Sequence, residues 1–234
     1  MELKTRSLKN SIYRVNTNNK NLLRFQSFPP NNKFAPSFDF PFWESRIPIS
    51  LNRKLLKEIK KKKYLYQEEE GYGGTNEFWK TYNIFTWALK NIKQLQKEIK
   101  KNLINYLKVL NITVPEPIYI NGWLCPQKQK QALKLHNHAI HSNAFLTGQV
   151  VLSPSNLPLG IMLPYLYSEY GLLWLPNAEA SIKIFPSSIP HFVPELKEKE
   201  RYVIAFDLIT EAGYRSFKHS IDDPQEPIYR AIIL

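Results

Sequence analysis

At Pro115 and Pro117 the chain changes its hydrophobic rhythm, and the change governs what it can become. Before the two prolines, Phe78, Tyr82, Phe85, Leu89, Ile92, Ile99, Leu103, Tyr106 and Leu110 step by three, four or seven. That spacing predicts one long amphipathic helix. After the prolines, apolar residues gather in short runs bounded by Pro, Gly, Asn and Ser: Ile118 to Leu124, Ala144 to Leu152, Ala180 to Phe185 and Arg201 to Ile209. Runs of that length predict strands, so the second half reads as a β domain with helices before it as support.

The 234 residues suit one core, because β domains of that length often stay undivided. Four segments are expected. Residues 1–47 are rich in Asn, Ser and Pro, with Pro29, Pro30, Pro36 and Pro41 as breakers, and read as an extended arm whose Phe38, Phe40, Phe42 and Trp43 pack on the domain. Residues 48–117 form a supporting helical region that opens with a short helix, Ser50 as its N-cap candidate and Leu51, Leu55 and Ile59 on its buried face. Residues 118–210 form the β core, and 211–234 a tail that ends in an apolar stretch able to add an edge strand. Gly71-Tyr72-Gly73-Gly74 lacks the lysine and strand of a phosphate loop and reads as a turn.

Composition removes several classes of function. A single cysteine, Cys125, excludes an internal disulfide framework and a zinc site of paired thiolates, and reads as a buried structural thiol. No stretch approaches the ~20 apolar residues of a membrane span, so a soluble, cytoplasmic protein without a membrane partner is expected. The net charge of +12 makes nucleic acid a partner to consider, but the excess is largely lysine in the runs Lys54 to Lys63 and Lys90 to Lys108. Helical spacing puts those on solvated faces, and nucleic-acid binding is not favoured.

Histidine placement is more informative. The chain has five histidines, and His136, His138 and His141 fall within six residues, with His191 and His219 later. In a strand, positions i and i+2 share a face, so His136 and His138 can offer two imidazoles to one metal ion. His191 would close the set from a later apolar strand, and Arg201 follows ten residues on. Each has an ordinary reading as a solvated or backbone-bonded side chain; the combination is harder to obtain by chance.

These residues resemble a known family, the iron(II)/2-oxoglutarate-dependent oxygenases of bacteria and cyanophages. The matching stretches are Trp123, His136-Asn137-His138, Phe145-Leu146-Thr147-Gly148, Phe185-Pro186-Ser187-Ser188-Ile189-Pro190-His191 and Arg201-Tyr202-Val203-Ile204-Ala205-Phe206, about the C-terminal half. The resemblance implies an α+β chain with a double-stranded β-helix core of the jelly-roll, cupin-like kind. It also implies iron(II) held by His136, His138 and His191, with 2-oxoglutarate chelating the iron and its far carboxylate on Arg201. The reaction implied couples oxidative decarboxylation of 2-oxoglutarate to hydroxylation of a primary substrate that the residues do not identify. About three extra residues separate His138 from Leu146-Thr147-Gly148, so counting from Gly148 selects His141 as the second histidine and counting from Trp123 selects His138; His141 is the reserve ligand. The wider superfamily uses two histidines and one carboxylate, and no Asp or Glu stands near His138 in the sequence. Two readings compete: a non-catalytic cupin-type metal- or ligand-binding β domain in which Arg201 pairs with Glu198 or Glu200, and a basic nucleic-acid-associated protein.

Overall fold

The computed structural model describes residues 12–15, 17–27, 37–63, 83–113, 117–139, 143–163, 172–220 and 231–234. Among the described residues twelve strands make two antiparallel sheets. The strands are β1 (Ile12–Val15), β2 (Leu22–Ser27), β3 (Asp39–Arg46), β4 (Ile118–Lys128), β5 (Leu133–His136), β6 (Leu146–Val151), β7 (Leu159–Met162), β8 (Leu172–Leu175), β9 (Ser181–Pro186), β10 (His191–Val193), β11 (Glu200–Thr210) and β12 (Ile232–Ile233). The large sheet has the order β1-β2-β3-β9-β6-β11-β4-β12, and the small one β5-β10-β7-β8.

The long strand β11 organises the large sheet, pairing with β4 from Glu200↔Lys128 to Thr210↔Ile118 and with β6 from Val203↔Val151 to Leu208↔Leu146. Its alternate residues serve two different surroundings. Tyr202, Ile204, Phe206 and Leu208 join Ile120, Leu124, Val150, Ile182 and Ile184 in one apolar cluster with the helices. The opposite face carries Arg201, Val203, Ala205 and Asp207 beside Gln127, Thr147, Gln149 and Lys183. It faces the small sheet, and Phe42 and Phe185 meet Leu159, Ile161 and Val193 between the two.

Two helices cover the apolar face. Helix α1 (Ile49–Lys61) buries Leu51, Leu55 and Ile59, as their spacing predicts, but it starts at Ile49 behind Pro48 with no side-chain cap from Ser50. Helix α2 (Ile92–Val109) buries Ile92, Leu95, Ile99, Leu103 and Tyr106. It is anchored by Trp43 Nε1 donating to Asn102 Oδ1 at 2.9 Å and Tyr106 Oη donating to the Pro41 carbonyl at 2.8 Å. The expected single helix from Phe78 is shorter than its periodicity suggests. Asn83 has φ 60°, Ile84–Thr86 is a 3-10 turn, and Trp87 is extended. Tertiary packing overrides the pattern here: the Phe85 ring occupies the space above Gly122, where an added Cβ would lie 2.3 Å from it.

The described part of the N-terminal segment is sheet where an extended arm was expected. Its residues 12–15, 22–27 and 39–46 extend the large sheet by three strands. The prolines misled because Pro41 pairs with Arg24 of β2 on one side, while β9 meets β3 only from Trp43 to Arg46. A proline is tolerated where its missing N–H faces no partner strand. In the tail, α3 (Glu211–Ser220) follows β11 directly and β12 adds the edge strand beside β4. Among the described residues no helix is long and apolar enough to cross a membrane.

Candidate active site

The site lies between the sheets, and the turn from β9 to β10 assembles it. His191 opens β10 rather than ending an earlier strand, and its backbone pairs with His136 at the end of β5, so the two imidazoles are cross-strand neighbours 4.4 Å apart by ring centroids. His138 lies two residues past β5, outside any strand, and is pinned because its N–H donates to the Ser187 carbonyl at 2.9 Å. Ser187 in turn bonds through its hydroxyl to the Ala144 carbonyl. The stretch Phe185-Pro186-Ser187 thus holds the His138 loop while its continuation presents His191. Trp123 stacks on the His138 ring at 5.3 Å and Phe185 meets the His191 ring edge-on at 5.2 Å.

Ligand nitrogens of His136, His138 and His191 all lie within 4.8 Å of one another and could hold a metal ion. Bonds of about 2.1 Å need nitrogen separations of roughly 3 to 3.5 Å, so the rings would draw together to hold an ion. Each Nδ1 is already engaged: that of His136 by the Lys134 carbonyl at 2.7 Å, that of His191 by the Ile189 carbonyl at 3.1 Å, and that of His138 by Asp207. An Nδ1–H donated to oxygen leaves Nε2 as the nitrogen with a lone pair for an ion. Burial pushes the His191 imidazole well below its ordinary pKa, with the neighbouring histidines adding to the shift, and burial lowers His136 too. Neutral rings are the form a metal requires. By donor set, the three residues fit a divalent first-row ion.

Arg201 lines the same cavity as the three histidines. Its side chain is 1% exposed, and its Nη1 donates to Gln127 Oε1 of the directly opposite residue at 2.7 Å. Its Nε and Nη2, together with Gln127 Nε2, are buried without hydrogen-bond partners. Desolvation lowers its pKa to about 10, which leaves it charged at neutral pH. No direct ion pair joins Arg201 to Glu198 or Glu200, the two considered from sequence, and Glu198 acts on it only through its charge at a distance. Glu200 is held by Lys60 and by the Tyr202 hydroxyl, and the Glu198 carboxylate accepts from the Asn156 N–H. A buried cation with two vacant donors on a cavity is a place for a carboxylate or another oxyanion.

Other sequence candidates fall outside this cluster. His141, the reserve ligand, the Gly71-Tyr72-Gly73-Gly74 turn, and Tyr165, Tyr167 and Tyr170 lie outside the described residues. Trp174 sits on β8 with its ring 49% exposed against Phe192. Cys125 is buried and lines the cavity opposite Val203. Asp207 and Gln127 were missed by sequence reasoning. No Asp or Glu stands near His138 in the sequence, but the fold brings Asp207 beside it. It lies 69 residues further on, its Oδ1 3.0 Å and its Oδ2 3.2 Å from His138 Nδ1, with the better bonding geometry at Oδ2. The available signal was one acidic residue at a same-face step from Arg201 within the otherwise apolar run Tyr202 to Ile209.

No family model matches this chain, and no curated protein does. Its fold does have solved counterparts. A prolyl-4-hydroxylase from Pseudomonas putida aligns with a TM-score of 0.55 at 12% identity, over 73% of this chain and 92% of that one. HygX from Streptomyces hygroscopicus, solved with nickel and 2-oxoglutarate bound, aligns with a TM-score of 0.51 at 10% identity over 73% of this chain and 82% of that one. A prolyl hydroxylase from Trichoplax adhaerens, in complex with a hypoxia-inducible-factor peptide fragment, aligns with a TM-score of 0.52 at 14% identity over 75% of this chain and 86% of that one. The chain therefore shares the mostly antiparallel fold of these three proteins.

Proposed function

We propose that this protein is an iron(II)- and 2-oxoglutarate-dependent oxygenase of the hydroxylase type, with a double-stranded β-helix core. The observation that carries the reading is the meeting of three imidazoles and a buried, incompletely bonded guanidinium on one cavity. His136, His138 and His191 hold the iron through Nε2, and Arg201 receives the far carboxylate of 2-oxoglutarate. Two vacant donors on a planar guanidinium suit a carboxylate, and the ligand's charge offsets the desolvation of the arginine. When bound, iron and 2-oxoglutarate together supply the chemistry that activates dioxygen, with succinate and carbon dioxide as co-products.

The chain's own share is positioning and exclusion of water. Trp123 and Phe185 wall the histidines on two sides, and the carbonyls of Lys134 and Ile189 fix two ring orientations. Leu133, Leu159 and Val193 supply apolar lining. On this reading the chain groups with the oxygenases of bacteria and cyanophages by its His136-Asn137-His138, Phe185-Pro186-Ser187 and Arg201 motifs. The lone buried cysteine favours a cytoplasmic setting.

Anaerobic titration is the test. Iron(II)-loaded protein is expected to develop a weak visible charge-transfer band on adding 2-oxoglutarate, Arg201→Ala to lose it, and aerobic incubation with 2-oxoglutarate to yield succinate. A protein that binds iron but shows neither band nor succinate is a metal-binding β domain instead.

A further inference from the structure

We infer that Asp207 is a positioning residue that orients His138 and supplies, through its ring, the negative charge which a ligand set made only of imidazoles lacks. The inference rests on the metal reading above and concerns a residue outside the ligand set. Asp207 is 2% exposed in the middle of the large sheet, between Asn121 of β4 and Thr147 of β6 in register. Its Oδ2 bonds His138 Nδ1 and its Oδ1, also buried, has no hydrogen bond of its own. A carboxylate in that position carries a large desolvation cost, and its hydrogen bond to one imidazole offsets only part of it. A divalent cation on the far nitrogen of the same ring offers the missing compensation, because a metal makes the ring a stronger Nδ1–H donor and the carboxylate makes it a stronger Nε2 ligand.

Three consequences follow from that arrangement. The Nδ1–H of His138 is directed at Asp207 before metal arrives, so Nε2 is the nitrogen left for an ion. Of the three rings this one alone bonds a carboxylate, the other two bonding carbonyl oxygens, so His138 is the most electron-rich ligand. The charge sum of metal, ligands and Asp207 is then that of a site with one carboxylate ligand, although the carboxylate stands one ring away from the ion.

The tautomer is testable without any variant. Nitrogen NMR of labelled histidine in the metal-free protein should show His138 protonated at Nδ1, and protonation at Nε2 overturns the inference. Cobalt(II) titration against a competing chelator then compares wild type, the isosteric Asp207→Asn, and His191→Ala. Asp207→Asn is expected to weaken cobalt binding about 10- to 100-fold and to shift the visible bands, with the metal-free melting temperature retained. Unchanged affinity and bands in a folded Asp207→Asn protein reject the role of Asp207 and leave the metal reading standing. Failure of wild type to bind cobalt, or binding by His191→Ala as tight as wild type, rejects both. A carbonyl-like structural role would lower stability without moving the bands.

Discussion

The two faces of the large sheet are made by alternate residues of the same strands, yet they are built on opposite principles. On the helix side, Ile120, Leu124, Ile182, Ile204 and Phe206 meet Leu55, Ile59, Leu95 and Ile99 in a cluster without charges. On the other side the same strands bury Arg201, Asp207, Lys183, Gln127 and Gln149, with vacant hydrogen-bonding atoms on Arg201, Gln127 and Asp207. Lys183 shows the cost. Burial lowers its pKa, and the Glu44 carboxylate at 3.2 Å, the Asn177 side-chain oxygen and the Pro176 carbonyl are gathered to hold its ammonium. One face stabilises the fold, and the other spends part of that stability on groups arranged for a ligand.

Substitutions on the two faces should therefore separate stability from function. The largest effect is expected from His191→Ala, which should reduce metal content and succinate formation to background while the metal-free melting temperature stays level or rises. Arg201→Met should abolish the 2-oxoglutarate response with no loss of metal-free stability, since removing a buried, incompletely bonded charge offsets the lost bond to Gln127. A drop in melting temperature for Arg201→Met would break the comparison. On the helix side, Leu55→Ala should cost about 2–5 kcal/mol by denaturant unfolding and leave metal bound per folded molecule unchanged.

Gly148→Ala is expected to cost less, on the order of 1–3 kcal/mol. Its Cβ would meet the Phe206 ring at 2.4 Å and the Lys183 carbonyl oxygen at 2.5 Å, and the backbone must give way. The smallest effect concerns pH. His191 and His136 have folded pKa values below the ordinary 6.5, so the unfolded chain binds more protons as the medium turns acid. Stability of the metal-free protein is then full above pH ~6.5 and declines as pH falls below it. Unfolding midpoints measured across that range should slope downward toward acid, and less so in His191→Ala.

Elements whose periodicity agrees with their environment were legible from sequence: α1 from Leu51, Leu55 and Ile59, α2 from Ile92, Ile99, Leu103 and Tyr106, and the strands around 118–128, 146–151, 181–186 and 200–210. Those whose environment overrides the local pattern were not. Residues 84–89 carry helical spacing, but only Ile84–Thr86 turns, as a 3-10 helix set by the seating of Phe85 over Gly122, and Pro41 concealed a strand that uses it where no strand pairs on its other side. In the site, His136, His138, His191 and Arg201 stand out as rare residue types in an informative order. Gln127 looks like any polar strand residue until the register sets it across from Arg201.

The amino-acid sequence by itself determined which residue types can do the chemistry and which strands alternate between two surroundings, because composition and period are local properties. Only the tertiary structure decided which nitrogen each imidazole offers, that Asp207 stands behind His138 across 69 residues, and that Arg201 keeps two donors vacant. Those are matters of distance and hydrogen-bond direction between segments far apart in the chain. They are set by strand register and by the β9–β10 turn, which no local pattern encodes.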